Sequence, residues 1–286
     1  MKIGIMGTGL MGHAFVERFL SQGFKVRVYN RTRERIADLV ESGATACATS
    51  DELIRLSSII IMMASDADAI NSLLPFEQDK ALQGKTIIQM ATISPRQSVE
   101  LSKAISSFGG VYLEAPVLGS IPEANTGTLI IMAGGSKHVF EDMLPVLQVL
   151  GAAPRYVGDA GSAAALKLAM NQLIAALTAG FSLSLGYAIK NGVDPGLFMD
   201  TVRESALYAK TYDKKLQKYL QRDFGTANFS TRHLLKDIRL FIDDAKAAGL
   251  NTAALEGIET IASMSIENGM GLMDYSSIYE VICPES

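Results

Sequence analysis

The chain has 286 residues, 48% of them hydrophobic and 20% charged, with a formal charge of −4 and a pI near 5.5. That length leaves room for two domains, each with its own core, and the composition is that of a globular protein, not a disordered one. Mild acidity excludes a general nucleic-acid binder, so any basic site must be local, and the two cysteines, Cys47 and Cys283, form neither a metal spacing nor a disulfide framework and are expected as free thiols in a reducing compartment.

The first element is an apolar strand, Lys2–Met6. Nothing before it resembles the charged, apolar and cleavage regions of a signal peptide, so a cytoplasmic protein is expected. The strand runs into Gly7-Thr8-Gly9-Leu10-Met11-Gly12, a G-x-G-x-x-G spacing, then into an amphipathic helix, Leu10–Gln22, and a second strand, Lys25–Tyr29. An ordinary glycine-rich turn would have the spacing without this strand, helix and second strand around it. In a dinucleotide site, Gly7 permits the tight turn, Gly9 lets backbone approach a pyrophosphate, and Gly12 permits close helix–strand packing. Amides at the helix start, around Thr8, Leu10 and Met11, then bind the phosphates.

After the second strand the chain reads Asn30-Arg31-Thr32-Arg33-Glu34-Arg35. An acidic residue normally stands here to hold a ribose 2′-hydroxyl, and it would repel a 2′-phosphate. Asn30 is neutral, Arg31 offers a planar fork to a phosphate or stacks on adenine, and Thr32 adds a hydroxyl donor. The turn therefore points to NADP(H) over NAD(H), with Arg33 and Arg35 as the solvated start of a helix over Arg33–Ser42.

Further strands are expected at Ser58–Ala64, Thr86–Met90, Val111–Ala115, Leu129–Gly134 and Pro154–Val157, and further helices at Ser94–Ser107 and Lys137–Leu150. Alternating strands and helices indicate a parallel, doubly wound α/β sheet of Rossmann type. Near Gly158 the period changes, and only helices follow, at about Ser162–Asn191, Pro195–Ser205, Tyr208–Arg222, Thr231–Ala248 and Thr252–Asn268. Two domains are expected: an NADP-binding domain over 1–160 and an all-α domain over 161–286, joined by a long interdomain helix. Leu168–Ile189 in that helix carries no charged side chain and has the length of a membrane span. Its Asn171, Gln172, Thr178, Ser182 and Ser184 favour a buried helix of a soluble protein. The basic run Asp213–Arg222 reads as a solvated helix face.

Lys167 and Asn171 stand one helical turn apart, on one face. A lysine beside a carbonyl can donate a proton to its oxygen while a hydride reaches the carbon, or act as base in the reverse direction; a lysine's ordinary pKa of about 10.4 suits the acid. Asn171 can hold the ammonium in line or hydrogen-bond a substrate. Spacing alone fits equally well a lysine snorkelling from an apolar helix.

Taken in order after the glycine turn, Glu114–Leu129 (EAPVLGSIPEANTGTL), Gly161–Asn171 (GSAAALKLAMN) and His233–Leu240 (HLLKDIRL) resemble the β-hydroxyacid dehydrogenase family over nearly the whole chain. The family includes 3-hydroxyisobutyrate dehydrogenases, tartronate semialdehyde reductases and glyoxylate/succinic semialdehyde reductases. The resemblance implies catalytic roles for Lys167 and Asn171. It also implies a substrate-carboxylate loop at Leu118, Gly119 and Ser120, where the family usually has Ser-Gly-Gly. Leu118 departs from that pattern, and Ala163 stands where the family often has glycine. Thr92 is implied as a contact near the nicotinamide and substrate, Met63 and Ala64 beneath the cofactor, Lys236 beside the cofactor, Asp237 beside the substrate, and Phe229 as a pocket wall. The expectation is an NADPH-dependent reductase of small carboxylated aldehydes or ketoacids, glyoxylate and succinic semialdehyde first. It needs no metal, binds neither nucleic acid nor membrane, and forms a homodimer or homotetramer. The alternatives are an NAD(P)-dependent 3-hydroxyacid dehydrogenase and a non-catalytic NADPH-binding interaction protein. An imine reductase shares the architecture, but that group usually lacks the lysine kept here.

Overall fold

The computed structural model describes residues 1–76, 80–225 and 227–285. The chain forms two compact units, Met1–Lys167 and Leu168–Ser286. Among the described residues, the first unit carries strands β1 (Ile3–Met6), β2 (Val26–Tyr29), β3 (Thr45–Ala46), β4 (Ile59–Met62), β5 (Thr86–Gln89), β6 (Val111–Glu114), β7 (Val117–Leu118), β8 (Ile130–Gly135) and β9 (Arg155–Gly158). Its helices are α1 (Leu10–Ser21), α2 (Ala37–Glu41), α3 (Ser50–Leu56), α4 (Ala67–Leu73), α5 (Pro95–Ser107), α6 (Ile121–Thr126) and α7 (Lys137–Leu150).

The strands lie in the order β3-β2-β1-β4-β5-β6-β8-β7, with β9 against β8. The first six run parallel, β8 is antiparallel to β6 and β7, and β9 is parallel to β8. The sequence order reverses between β1 and β4, and in open α/β sheets ligands bind beyond the carboxyl ends of the strands at that point. Alternation along the strands builds two cores. Ile3, Ile5, Val28 and Ile61 face Phe15 and Phe19 of α1 and Val146, Leu147 and Leu150 of α7. Met6, Ile60, Met62 and Ile87 face Leu53 of α3, Ile70 of α4, and Leu101 and Ile105 of α5. Covered on both faces, the strands are near-continuous apolar runs, as a parallel sheet requires.

In the first unit, three short helices and two two-residue strands go beyond the elements expected from sequence. A strand of two residues has no measurable period, but the helices α3 and α4 carry cap signals. Thr49 accepts from the Glu52 amide, and Asp66 accepts from the Ala69 amide. The expected helix over Arg33–Ser42 is instead a 3-10 turn, Arg33–Ile36, leading into α2.

α8 (Ser162–Lys190) begins in the first unit and continues into the second. It is followed by α9 (Pro195–Glu204), α10 (Lys210–Gln221), α11 (Thr231–Ala247), α12 (Ala253–Ser265) and α13 (Tyr279–Ile282). Asp194 caps α9 through the Leu197 amide with Pro195 at the first helical position. Length and composition would let α8 cross a membrane, but 39% of its most apolar window is buried within the protein. The expectation of a buried helix holds for Leu168, Ala175, Phe181 and Leu185; Leu173, Leu177, Leu183 and Tyr187 stand exposed. Cys47 and Cys283 are both buried and unbridged.

In the second unit the half-buried Lys215 pairs with the buried Asp274. Lys215 Nζ donates to both oxygens of Asp274 at 2.7 Å and stands 4.4 Å above the Tyr275 ring. Burial pushes the Lys215 ammonium below its ordinary pKa, and Asp274 pulls it back up. The Asp274 carboxylate also accepts from the amide and hydroxyl of Ser276. Asp274→Ala strips a half-buried cation of its buried partner and is expected to cost up to about 3–5 kcal/mol, read from urea unfolding at neutral pH; a loss below about 1 kcal/mol, the value of an exposed pair, would contradict the burial argument.

Candidate active site

β1 ends at Met6, and the chain turns at Gly7 with φ of 82°, a value that favours glycine. A Cβ on Gly7 would overlap the Met63 carbonyl just past β4, and one on Gly12 would overlap the Gly7 carbonyl. Backbone of β1, α1 and β4 therefore meets with no room for side chains. Gly9 differs. Its φ of −69° and ψ of −171° suit any residue, and a Cβ there would meet no protein atom within 4 Å. Neither conformation nor packing requires glycine at that position, whereas a pyrophosphate drawn against the backbone does. The residues present thus fit a dinucleotide.

Thr8 is buried, and its Oγ1 accepts from Asn30 Nδ2 at 2.6 Å. The other end of the amide, Asn30 Oδ1, accepts from the Thr32 amide at 2.9 Å. Asn30 therefore ties the glycine turn to the turn after β2. Arg31 is exposed and makes no hydrogen bond or ion pair among the described residues; Arg33 and Arg35 are exposed in the 3-10 turn. Leu10 is exposed and Met11 half-buried at the start of α1. Met63 and Ala64, both half-buried, follow β4. Thr92 lies between β5 and the capping box of Ser94 and Gln97 that starts α5. All these residues stand at the carboxyl ends of the parallel strands.

The loop after β6 holds a surprise for the sequence reading. Leu118 pairs with Ile130 of β8, and Gly119 has φ of 124°. The amide and hydroxyl of Ser120, expected to face a substrate carboxylate, both donate to Glu123 Oε2 at 2.8 Å. They already serve an internal anion, in the reciprocal pattern of a helix start.

A second carboxylate had no role in the sequence reading. Glu114, at the end of β6, is 1% exposed. Its Oε1 accepts from the amides of Ala163 at 2.7 Å, Gly161 at 2.9 Å and Ala164 at 3.3 Å, the start of α8. Its Oε2 accepts from the Ser98 hydroxyl, which in turn lies 2.7 Å from the Tyr112 hydroxyl. A Cβ on Gly134 would strike Oε1, so glycine at that position makes room for the carboxylate. Burial pushes the Glu114 carboxyl above its ordinary pKa, while Ser98 and the three amides pull it down. The sequence signal was a lone carboxylate in an otherwise apolar stretch.

Lys167 is half-buried on α8, and Asn171, one turn later, is buried. Asn171 Nδ2 donates to Asp237 Oδ2 on α11 at 2.6 Å. Lys236 Nζ stands 3.0 Å from Asp237 Oδ1. Phe229 is half-buried, edge-on to Tyr275 at 5.6 Å and stacked with His233 at 6.2 Å, so it belongs to the second unit's own packing. Among the described residues no cluster of His, Cys, Asp and Glu has the makings of a metal site.

The glycines of the turn separate by experiment. Gly12→Ala is expected to cost about 1–3 kcal/mol in urea unfolding, through overpacking against backbone. Gly9→Ala is expected to leave stability within about 0.5 kcal/mol yet weaken dinucleotide binding, followed by fluorescence titration.

Comparison with known proteins matches residues 2–158 to the NAD binding domain of 6-phosphogluconate dehydrogenase. Residues 161–282 match the NAD-binding region of NADP-dependent 3-hydroxyisobutyrate dehydrogenase. The chain is 32% identical to glyoxylate/succinic semialdehyde reductase 1 of Arabidopsis thaliana, over 99% of this chain and 98% of that one. It is 30% identical to 2-hydroxy-3-oxopropionate reductase of Escherichia coli K12, over 99% and 97%. In fold it resembles the Mycobacterium tuberculosis 3-hydroxyisobutyrate dehydrogenase solved with L-serine, with a TM-score of 0.88 and 20% identity over 99% of each chain. With two family matches in tandem and full-length relatives of the same kind, the chain belongs to the β-hydroxyacid dehydrogenase family of NAD(P)-dependent oxidoreductases.

Proposed function

We propose that the protein is an NADPH-preferring reductase of small carboxylated aldehydes or ketoacids, with glyoxylate and succinic semialdehyde as its leading substrates. The observation that carries this reading is the pairing of Lys167 with Asn171, one turn apart near the start of α8. The activities of the Arabidopsis and Escherichia coli relatives support the substrate class. When bound, NADPH supplies the hydride. Its pyrophosphate would be held at Gly7–Gly12, its 2′-phosphate by Arg31 and Thr32 beside the neutral Asn30, and its nicotinamide end by Met63, Ala64 and Thr92.

Lys167 donates a proton to the carbonyl oxygen as negative charge develops there, and the product is the hydroxyacid. The loop Leu118-Gly119-Ser120 receives the substrate carboxylate, which takes over the Ser120 donors from Glu123. Run backward, with Lys167 as base, the same residues make a 3-hydroxyacid dehydrogenase, a reading favoured by the family match of the second half. A second copy of the chain covers the exposed Leu173, Leu177, Leu183 and Tyr187 of α8 in a homodimer or homotetramer.

The decisive assay follows NADPH oxidation with glyoxylate, succinic semialdehyde and uncharged butanal. The two acids are expected to be reduced far more efficiently than butanal, since anion donors left unpaired penalise the analogue. Lys167→Ala is expected to lower kcat by about 10²–10⁴-fold, the range of general acid–base catalysis, with NADPH affinity nearly unchanged. Near-normal turnover by that variant would remove the mechanism.

The cofactor preference is tested separately. NADPH is expected to be used better than NADH, and Asn30→Asp combined with Arg31→Ala is expected to weaken or reverse the ratio by adding repulsion and removing attraction. Because the Asn30 amide also hydrogen-bonds Thr8 and the Thr32 amide, the variant needs a check on folding. Equal kcat/KM with both cofactors in the unsubstituted protein would contradict the assignment.

A further inference from the structure

Asn171 and Asp237 are each 3% exposed, lie 66 residues apart in sequence, and meet at 2.6 Å, Nδ2 to Oδ2. The two ends of an amide are opposite in kind, donors on nitrogen and an acceptor on oxygen, whereas a carboxylate only accepts. Asp237 therefore dictates which way round Asn171 sits, with its NH2 toward Asp237 and its carbonyl turned away. The oxygen so turned, Asn171 Oδ1, is buried and has no hydrogen-bond partner among the described residues. A buried acceptor left unmade costs about 1–3 kcal/mol, a cost that an apolar residue at this position would avoid.

Helical side chains lean toward the N-terminus of their helix, and residues four apart share a face. Asn171 thus leans back over the turn that carries Lys167. We propose that Asp237 is a positioning residue: it orients Asn171 so that the amide's carbonyl oxygen, and not its NH2, is offered to the Lys167 ammonium as that group delivers its proton. The inference rests on Lys167 being the proton donor, as set out above. An ammonium carries three donors. With one bonded to Asn171 Oδ1, another is directed at the substrate oxygen. With the amide reversed, donors would face donors.

Lys236 fixes the direction of any amide placed at position 237. Its Nζ stands 3.0 Å from Asp237 Oδ1, an ion pair though not aligned as a hydrogen bond. In Asp237→Asn the new carbonyl therefore turns toward Lys236 and the new NH2 toward Asn171. Asn171 must then turn its own oxygen inward to accept, and its NH2 outward toward Lys167. Combining Asp237→Asn with Asn171→Asp repairs this, since the inward NH2 meets a carboxylate whose second oxygen is offered outward. The pair keeps the same net charge.

Asp237→Asn is expected to lower kcat by about 10- to 100-fold, the worth of one hydrogen bond to a charged group, with KM and NADPH affinity within about threefold. The swapped pair is expected to return kcat to within about fivefold of the unsubstituted protein. Retention of kcat within twofold by Asp237→Asn overturns the proposal. So does a swapped pair that recovers the urea midpoint while remaining as slow as the single variant, because a purely structural contact behaves that way. A second readout is independent of turnover. With 15N-asparagine labelling, one side-chain amide proton of Asn171 is expected to be protected from exchange in the unsubstituted and Lys167→Ala proteins alike, and unprotected in Asp237→Asn. Full turnover by Lys167→Ala overturns the proton-donor reading and with it the role given to the offered oxygen. A protected proton that survives Asp237→Asn overturns the orientation alone.

Discussion

The start of α8 hangs on one buried anion. The first amides of any helix lack partners within it, and here three of them converge on a single oxygen of Glu114. The carboxylate also faces the positive end of a 29-residue helix dipole, where negative charge is favoured. Lys167 follows within the next turn and a half, so its placement depends on where this cap holds the helix. Ser98 from α5 and Gly134 from β8 complete the cradle, which makes the first unit's sheet, one of its helices and the start of α8 a single rigid arrangement.

The glycine turn of the first unit and the polar network of the second are built by different physics. In the first unit, the nucleotide turn is set by backbone: Gly7 and Gly12 let β1, α1 and β4 touch, and Gly9 is left facing outward. Backbone geometry of this kind tolerates almost no substitution but needs few side chains. In the second unit, side chains do the work. Asn171, Lys236 and Asp237 form a small polar network inside an apolar packing of Ala175, Leu234, Leu235 and Ile238. Networks in such surroundings are strong when complete and costly when broken.

Much of this was legible in the sequence because it is local. The glycine spacing, the seven longer strands and the helical second half all come from short-range periodicity, and their observed limits fall within about three residues of the expected ones. The strands β3 and β7 were illegible because two residues carry no period. Glu114 is a lone carboxylate in an apolar stretch, but its amide partners lie 47 to 50 residues away, a relation that no local pattern encodes. The Asn171–Asp237 bond spans a still longer stretch, so only tertiary packing brings it about. Ser120 is the opposite case. Its cap with Glu123 is a local S-x-x-E signal, readable without any tertiary information.

The contact between Gly134 and Glu114 has a consequence for how such a chain can diverge. The two positions, on neighbouring strands, share one small volume: a methyl group on the first displaces the carboxylate of the second. A lineage cannot enlarge position 134 first, because the start of α8 would lose its anion while the three amides stayed buried. Nor does shortening position 114 alone help, since it opens a void that only a second change can fill. Evolutionary drift at this point must therefore proceed by paired replacement, and the two sites behave as one inherited character although twenty residues of chain separate them.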